Sequence, residues 1–180
     1  MSVEEERLVL RAQAGDLRAF DALLRRYEAR LYRHLCRLQG DPDAAYEILQ
    51  ETYLNIVRNI GSLRSRASFG AWAYGVATRS CLRWLRERRR RPQANEAPDD
   101  VVDPEPLPET IVDRLELVNE LEQSIARLSH PLRSVVLLHY AEGLTLAEVA
   151  AALEISLGTA KSRLNAALVQ LRGSAGGSAP

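Results

Sequence analysis

The chain has 180 residues, with 24 basic and 24 acidic side chains, and 46% of its residues are hydrophobic. This length suffices for one medium domain or two small ones with helical cores. Its two cysteines, Cys36 and Cys81, lie far apart without metal-ligand spacing, so neither a disulfide framework nor a metal site is predicted. No run approaches the roughly 20 apolar residues that span a bilayer, and the acidic start MSVEEE is unlike a signal peptide. We therefore expect a cytoplasmic protein without direct membrane insertion.

The zero net charge is the sum of two opposed segments. From Arg64 to Arg91 there are nine arginines and one acid, Glu87, whereas residues 92–113 contain seven acids and no base. A neutral total therefore does not exclude a polyanionic partner for the basic segment.

The hydrophobic pattern is helical along nearly the whole chain, and no segment alternates like a strand for more than a few residues, so the predicted fold is all-α. After a short N-terminal extension, one amphipathic helix begins near Asp16 and stops at Gly40. Asp41 as N-cap and Pro42 in the first turn open the next helix, which Gly61 ends.

A polar loop at residues 62–68 precedes a third amphipathic helix, which begins at Phe69 and runs into Arg86–Arg91. The following segment has five prolines and no aromatic residue, a composition that cannot form a packed core and predicts a flexible, extended linker. We predict two small helical domains at 1–91 and 111–172, joined by an acidic linker at 92–110 and followed by a flexible tail at 173–180.

The segment from Gly143 to Arg172 has the pattern of a helix-turn-helix. Gly143 suits a left-handed helix end, and Thr145 with Glu148 forms a capping box for the next helix. A second helix follows the turn, and polar or cationic side chains lie near its N-terminus: Ser156, Thr159, Lys161, Ser162 and Arg163. Because such side chains meet base edges and phosphates, the segment predicts a DNA-reading helix. An ordinary amphipathic hairpin is the alternative.

The third helix interleaves aromatic side chains with arginines. Single-stranded nucleic acid binds such combinations, because bases stack on aromatic rings while phosphates meet cations. The residues concerned are Trp72, Tyr74 and Trp84 with Arg79, Arg83 and Arg86. The alternatives are that the aromatic residues serve the core and that Arg86–Arg91 is a solvated helix end.

No catalytic or metal-binding group is predicted. His34, His130 and His139 lack partner carboxylates at metal-binding spacing, and no glycine-rich phosphate loop is present. His34 and Cys36 point to different sides of a helix, so we expect a solvated histidine beside a buried cysteine. An enzyme, a cofactor and a small-molecule substrate are therefore not expected.

Residues 16–172 resemble the extracytoplasmic-function (ECF) sigma factors of bacterial RNA polymerase. Four blocks carry the resemblance, in this order: AFDALLRRYEARLYRHL, GDPDAAYEILQETYLNIVRNI, FGAWAYGVATRSCLRWLRERRRR and GLTLAEVAAALEISLGTAKSRL. The resemblance implies that the protein binds core polymerase, with the largest and second-largest subunits as partners. It implies a first domain whose second helix docks on the largest subunit and which melts the minus-ten promoter element. It implies a second domain that binds the minus-thirty-five element, and an anti-sigma protein as a further partner.

The resemblance also implies a role for particular residues. Core polymerase is expected at Glu47, Gln50 and Glu51, for which simple solubility is the alternative. The minus-ten strand is expected at Arg64, Ser65 and Arg66, where the family holds an extruded base, and at Trp72, Arg79, Arg83 and Arg86. The minus-thirty-five element is expected at Ser156, Thr159, Lys161, Ser162 and Arg163.

Three positions depart from the family pattern. Residues 44–47 read Ala-Ala-Tyr-Glu where many relatives have Asp-Ala-Glu-Asp. Arg79 stands where asparagine is common, and Arg83 where aspartate is common. Glu154 replaces the usual glycine of the helix-turn-helix turn, where a left-handed residue costs a non-glycine roughly 1 kcal/mol.

Two further interpretations stay open at the level of sequence. The acidic segment Asp99–Glu109 is expected either to fold back on the arginine helix and suppress DNA binding, or to occupy the path of emerging RNA in the polymerase. The protein as a whole is alternatively a helix-turn-helix regulator that never joins core polymerase. That alternative leaves the arginine and aromatic residues of the first domain unexplained.

Overall fold

The computed structural model describes residues 3–63, 69–89 and 109–175, with side chains in the last range for residues 118–173. These residues form helices and no strand, which confirms the predicted all-α class. In chain order the helices are α1 (Val3–Gln13), α2 (Leu17–Gln39), α3 (Pro42–Asn59), α4 (Phe69–Arg88), α5 (Glu109–Arg127), α6 (His130–Val136), α7 (Leu146–Leu153) and α8 (Leu157–Ala175). A 3-10 turn at Ile60–Ser62 follows α3, and a π-helical turn at Leu137–Ala141 continues α6. The linker interpretations for Asp99–Glu109 fall largely outside the described residues.

Local capping residues determine where α2 and α3 begin and end. The Asp16 carboxylate accepts hydrogen bonds from the backbone N–H groups of Arg18 and Ala19, at 2.9 and 3.1 Å, and so caps α2. Gly40 ends that helix at φ +85°, and Asp41 caps α3. These predicted ends are confirmed. Each satisfies backbone groups that a helix terminus leaves without a partner.

Helix α1 lies within the N-terminal extension, for which the sequence analysis predicted no element. The Tyr27 hydroxyl donates to Glu5 Oε1 at 2.9 Å, which ties α1 to α2. The Gln13 side-chain amide donates to the carbonyls of Ile60 and Leu63, both at 3.0 Å. Helix α1 therefore fixes the chain just before the polar loop.

Helices α1 to α4 form one packed unit around leucine, isoleucine and aromatic side chains. Its largest fully buried side chains include Leu23, Leu31, Leu35, Leu38, Ile48, Ile56 and Phe69. Helices α6 to α8 form a second unit, with Val135, Leu138, Val149, Ala160 and Ala167 fully buried. Among the described helices, none is both long and apolar enough to cross a membrane.

The two units pack against each other, chiefly through α4 and α7. Gly75 of α4 lies against the α7 backbone: a Cβ there would stand 2.7 Å from the carbonyl oxygen of Ala152 and 2.9 Å from its Cα. Real Cβ atoms do not approach other atoms so closely. The absence of a side chain at Gly75 thus permits this helix pair to touch.

Arg133 of α6 also joins the units. Its guanidinium is buried and donates to the Leu38 carbonyl at the end of α2, at 2.7 Å. It also donates to the carbonyls of Ile125, Ala126 and Leu128, where α5 ends. One side chain of the second unit therefore satisfies C-terminal carbonyls of α2, in the first unit, and of α5.

The expectation for His34 is wrong. His34 is buried, whereas Cys36 is only partly so. Its Nε2 lies 2.8 Å from the Thr78 hydroxyl, and its Nδ1 lies 3.3 Å from Glu142 Oε1 of the second unit. A helical pattern shows which side a histidine occupies but not that another unit will cover it, and that covering buries His34.

Candidate nucleic-acid interface

The helix-turn-helix consists of α7 and α8, and its capping groups are in place. Thr145 Oγ1 accepts from the Glu148 N–H at 3.3 Å, while the Glu148 carboxylate accepts from the Thr145 N–H at 2.8 Å. This confirms the capping box. Gly143 has φ +71°, and the Ser156 hydroxyl accepts from the Thr159 N–H at 3.0 Å to cap α8. The start of both helices is therefore determined by polar side chains within four residues of each end.

Helix α8 presents its candidate DNA-contacting side chains around one exposed face. Ser162 lies opposite the buried Ala160, Leu164 and Ala167, with Lys161 and Arg163 on its two flanks, as 3.6 residues per turn requires. Lys161 and Ser162 are exposed, whereas Thr159 and Arg163 are half-buried. The exposed face thus combines a hydroxyl at its centre with cations at its edges.

A polar cleft of about 290 Å³ lies between α3 and α4. The structure brings three candidate minus-ten residues together in its lining: Trp72, Arg79 and Arg83. Other polar side chains line it as well: Asn55, Asn59 and Ser80, which were not predicted, Ser62 at the start of the polar loop, and Glu154 of the second unit. The two asparagines lie one helical turn apart at the end of α3, and this spacing could have identified them as site residues from the sequence. Aromatic, cationic and amide groups therefore converge on one small space.

Ser62, at the start of the predicted base-holding loop, lines this cleft. The candidates Arg64, Ser65 and Arg66 of that loop lie outside the described residues. The chain on either side is anchored: Gln13 binds the carbonyl of Leu63, and Phe69 is buried edge-to-face against Tyr27 at a ring distance of 5.1 Å. The described residues on either side of 64–68 are therefore held by contacts with α1 and α2.

The aromatic residues of α4 differ in their burial. Tyr74 is buried, and burial together with its hydrogen bond to Glu142 raises the pKa of its hydroxyl. Trp72 and Trp84 are half-buried. Trp84 Nε1 donates to Glu47 at 3.2 Å, and Arg88 stacks over its ring. Tyr74 therefore packs between the units, whereas Trp72 retains a face toward the cleft.

A basic groove of about 560 Å³ runs between α4 and the second unit. Arg79 and Arg86 line it from α4, and Arg163 lines it from α8. Candidate residues for both promoter elements thus share one groove in this arrangement.

The candidate core-binding residues lie on α3. Glu47 and Gln50 are exposed, and Glu51 pairs with Arg83 at 3.0 Å. Three large apolar side chains accompany them on the surface: Tyr46, Leu54 and Val57 are each at least half exposed. An apolar stripe of this kind, mixed with acids, has the character of a protein-binding surface.

Comparisons with known proteins agree with this geometry. The family model described as Sigma-70 region 2 matches residues 23–91, and the model described as Sigma-70, region 4 matches residues 119–171. The chain is 28% identical to the RNA polymerase sigma-H factor of Pseudomonas aeruginosa over 170 residues, covering 89% of this chain and 88% of that protein. It is also 28% identical to the ECF RNA polymerase sigma factor SigW of Bacillus subtilis, covering 96% of this chain and 97% of that one.

The fold is similar to that of a solved structure. The sigma factor RpoE from Bartonella quintana, crystallised with the anti-sigma factor NepR, superposes with a TM-score of 0.67 at 18% identity. The match covers 89% of this chain and 98% of that chain. At this identity the likeness concerns the fold alone.

Proposed function

The chain belongs to the extracytoplasmic-function sigma factors of the sigma-70 family, and from this premise we propose how its two units divide the work of promoter recognition. It is an initiation factor that binds core RNA polymerase and directs promoter-specific transcription. The observation that carries the assignment of roles is the pairing of a basic, aromatic cleft in the first unit with a capped helix-turn-helix in the second. The polymerase supplies the chemistry, and the factor acts by binding. We infer that it does so in the cytoplasm.

We assign the minus-ten strand to the cleft between α3 and α4. Trp72 offers a ring on which a base stacks, and Arg79 and Arg83 meet the phosphates on either side. The polar wall of Asn55 and Asn59 suits the hydrogen-bonding edge of an extruded base, whose capture offsets a few kcal/mol of lost stacking. Arg64, Ser65 and Arg66 are assigned to the same strand from the loop, and Arg86 to phosphates further along α4.

We assign the minus-thirty-five element to the N-terminal half of α8. Ser156, Thr159 and Ser162 are placed for hydrogen bonds, and Lys161 and Arg163 for phosphates or guanine edges. Because the Thr159 hydroxyl already contacts Ser156 at 2.8 Å, its primary role is to position the helix start.

We assign core polymerase to the exposed face of α3. Glu47, Gln50 and Glu51 supply its polar contacts, and Tyr46 and Leu54 add apolar area. The acids that many relatives have at residues 44 and 46 are missing here. Burial of the Tyr46 ring against the polymerase compensates for them, so the docking surface of this chain is more apolar than that of those relatives. An anti-sigma protein is the further partner we expect, as in the RpoE complex.

Run-off transcription tests this function. Full-length protein is mixed with bacterial core polymerase and the DNA upstream of its own operon, and we expect transcripts only when the protein is present. Leu54→Asp is the informative variant, because Leu54 is 54% exposed on the proposed docking surface. We expect it to weaken assembly with core polymerase at least tenfold, since a buried charge replaces apolar contact.

Leu17→Asp, the same substitution at an exposed leucine, is a matched control. Leu17 is 79% exposed at the start of α2, outside the proposed docking surface on α3, so we expect little effect on assembly. DNA binding without any complex with polymerase would instead support a regulator that acts alone.

A further inference from the structure

Three arginines on one face of α2 line a cavity that the proposed roles in promoter recognition do not use. Arg30, Arg33 and Arg37 follow one another at about one helical turn, so their side chains leave the helix on the same side. Between the first and the last of them the helix rises by about 10 Å. The three guanidiniums therefore form a row of charge, the arginine row, instead of a single charged point.

The cavity has a volume of about 500 Å³, and three elements form its wall. Helix α2 contributes the arginine row and Tyr27, and α4 contributes Tyr74 together with the small residues of its first turn. Glu142 closes the cavity from the end of the π-helical turn. Cavities that bind small molecules in proteins measure roughly 300–1,000 Å³. The space is therefore of a size that suits a small molecule.

The other polar side chains of the wall already have partners within the protein. The Tyr27 hydroxyl donates to Glu5 at 2.9 Å. The Tyr74 hydroxyl donates to Glu142, which also accepts from His34. Burial raises the pKa of both tyrosine hydroxyls, so neither adds a negative charge to the cavity. The hydrogen-bonding capacity that this wall offers to a ligand therefore belongs to the arginine row.

The arginine row has little acidic compensation. With the described residues Arg30 and Arg33 form no ion pair, and Arg37 approaches Glu122 only at 3.8 Å, between two exposed side chains. An exposed pair of this kind contributes little and leaves the guanidinium available. Glu142 is the acid of the wall, so the cations outnumber it and the cavity carries a net positive charge. Such a cavity suits an anion with several negative charges.

We propose that this cavity binds a small polyphosphate anion, a chain of two or three phosphoryl groups that is either free or carried by a nucleotide. Each guanidinium presents a planar fork of donors that matches two phosphate oxygens, so recognition involves geometry as well as charge. A single phosphate meets only part of a row about 10 Å long, whereas a chain of phosphoryl groups meets all of it. The site uses neither the cleft between α3 and α4 nor α8, so it does not rest on the assignment of the promoter elements.

Nucleic acid carries the same phosphate chemistry along its backbone. The cavity is bounded by residues of both units, and a small anion fits it without any movement of the π-helical turn. A continuous strand could follow the arginine row only if that turn moved aside. The geometry therefore favours the small anion, and the experiment separates the two sources of phosphate.

Isothermal titration calorimetry with sodium tripolyphosphate tests the site, on the full-length protein without polymerase or DNA. We expect one bound anion per chain, and binding of inorganic orthophosphate at least about tenfold weaker, because it meets fewer guanidiniums. The double variant Arg30→Gln with Arg33→Gln should bind tripolyphosphate at least about tenfold more weakly than wild type, since two charge-assisted contacts are lost. Both side chains are exposed, so circular dichroism should show an unchanged helical fold.

The double variant Arg7→Gln with Arg18→Gln is the matched control. It removes the same charge at two exposed positions outside the cavity, so we expect the wild-type affinity for tripolyphosphate. An equal loss of affinity in both double variants would show a general attraction to a basic protein and would overturn the site. Failure of wild type to bind tripolyphosphate would overturn it as well.

Fluorescence anisotropy with a labelled single strand of DNA identifies the source of the phosphate. We expect strand binding to depend little on Arg30 and Arg33, while tripolyphosphate binding depends on both. If only strand binding fell in the variant of these two arginines, the row would be a backbone contact and the small-anion site would be overturned. Neither measurement uses transcription, so failure of this proposal is distinguishable from failure of the sigma function.

Discussion

Arg133 is a buried cation whose described partners are backbone carbonyls. Four carbonyls from Leu38, Ile125, Ala126 and Leu128 surround its guanidinium. Burial lowers the pKa of Arg133, although a guanidinium titrates too high to lose its proton at neutral pH. The planar fork of five donors is what allows one side chain to reach acceptors in several directions.

Lysine at this position is therefore not a conservative change. We expect Arg133→Lys to lower the free energy of unfolding by about 2–4 kcal/mol, because hydrogen bonds to charged groups contribute about 1.5–3 kcal/mol each and more than one carbonyl loses its donor. Urea unfolding followed by circular dichroism measures the change. Arg127→Lys, at an exposed position six residues earlier, should shift it by less than about 0.5 kcal/mol. Equal stability of both variants would show that the carbonyls find other donors.

At the scale of the element, short polar signals decide where helices begin and end. The Thr145 hydroxyl and the Glu148 carboxylate cap each other's backbone at the start of α7, and the helix has only eight residues. So short a helix has little stability of its own, since isolated helices below about 12–15 residues are marginal in water. Its capping box and its packing against α4 and α8 must supply the rest.

Removal of the capping hydroxyl should therefore be measurable. We expect Thr145→Ala to lower the free energy of unfolding by about 1 kcal/mol, the usual effect of losing an N-cap side chain. Thr145→Ser keeps the hydroxyl and should retain most of that stability. Urea titrations of the two variants beside wild type make the comparison. A loss as large in the serine variant would point to the threonine methyl group instead of the cap.

The elements were predictable from the sequence to the extent that their signals are local. Asp16, Gly40, Asp41 and Gly143 act on backbone groups within a few residues, so their effect could be derived without a fold. Helix α1 was not predicted, although three acids in its first turn and Arg11 in its last are local signals of a helix. What no local signal shows is its docking, in which Glu5 contacts Tyr27 across 22 residues. The roles assigned to individual site residues stay predictions.

The docking of the two units was not predictable by these means. Arg79 reaches Ala152 across 73 residues and Arg133 reaches Leu38 across 95. Nothing in the spacing of either arginine distinguishes it from a solvated one. The sequence predicts Arg79 on the DNA-facing surface of α4, and only the fold shows that the same surface receives α7.

At the scale of the whole molecule, Glu142 links the acidity of the solution to the contact between units. It is largely buried and faces His34 and Tyr74, with Arg37 nearby. Burial acts to raise the pKa of Glu142, but hydrogen bonds from His34 and Tyr74 outweigh it, so the pKa lies below its ordinary value of 4.5. A carboxylate with a depressed pKa stabilises the folded state above its unfolded pKa and loses that effect as the pH falls.

Glu142→Gln should remove this dependence. We expect wild type to be more stable than the variant at neutral pH, with the difference shrinking as the pH falls below about 4.5 through the folded-state pKa. Urea unfolding at a series of pH values measures the difference. Glu122→Gln, at an exposed site, should follow the wild-type curve. A constant gap between wild type and Glu142→Gln at all pH values would show that the effect is steric.

The π-helical turn at Leu137–Ala141 decides which way Glu142 faces. The Glu142 N–H donates to the Leu137 carbonyl five residues back, at 3.1 Å, so this turn contains one residue more than an α-helical turn. Removal of that one residue would let α6 continue as a regular helix, but everything after it would rotate by about 100°. Glu142 would then turn away from His34, and α7 would follow it. The number of residues in a single turn, independent of their chemistry, thus sets whether the two halves of this sigma factor meet.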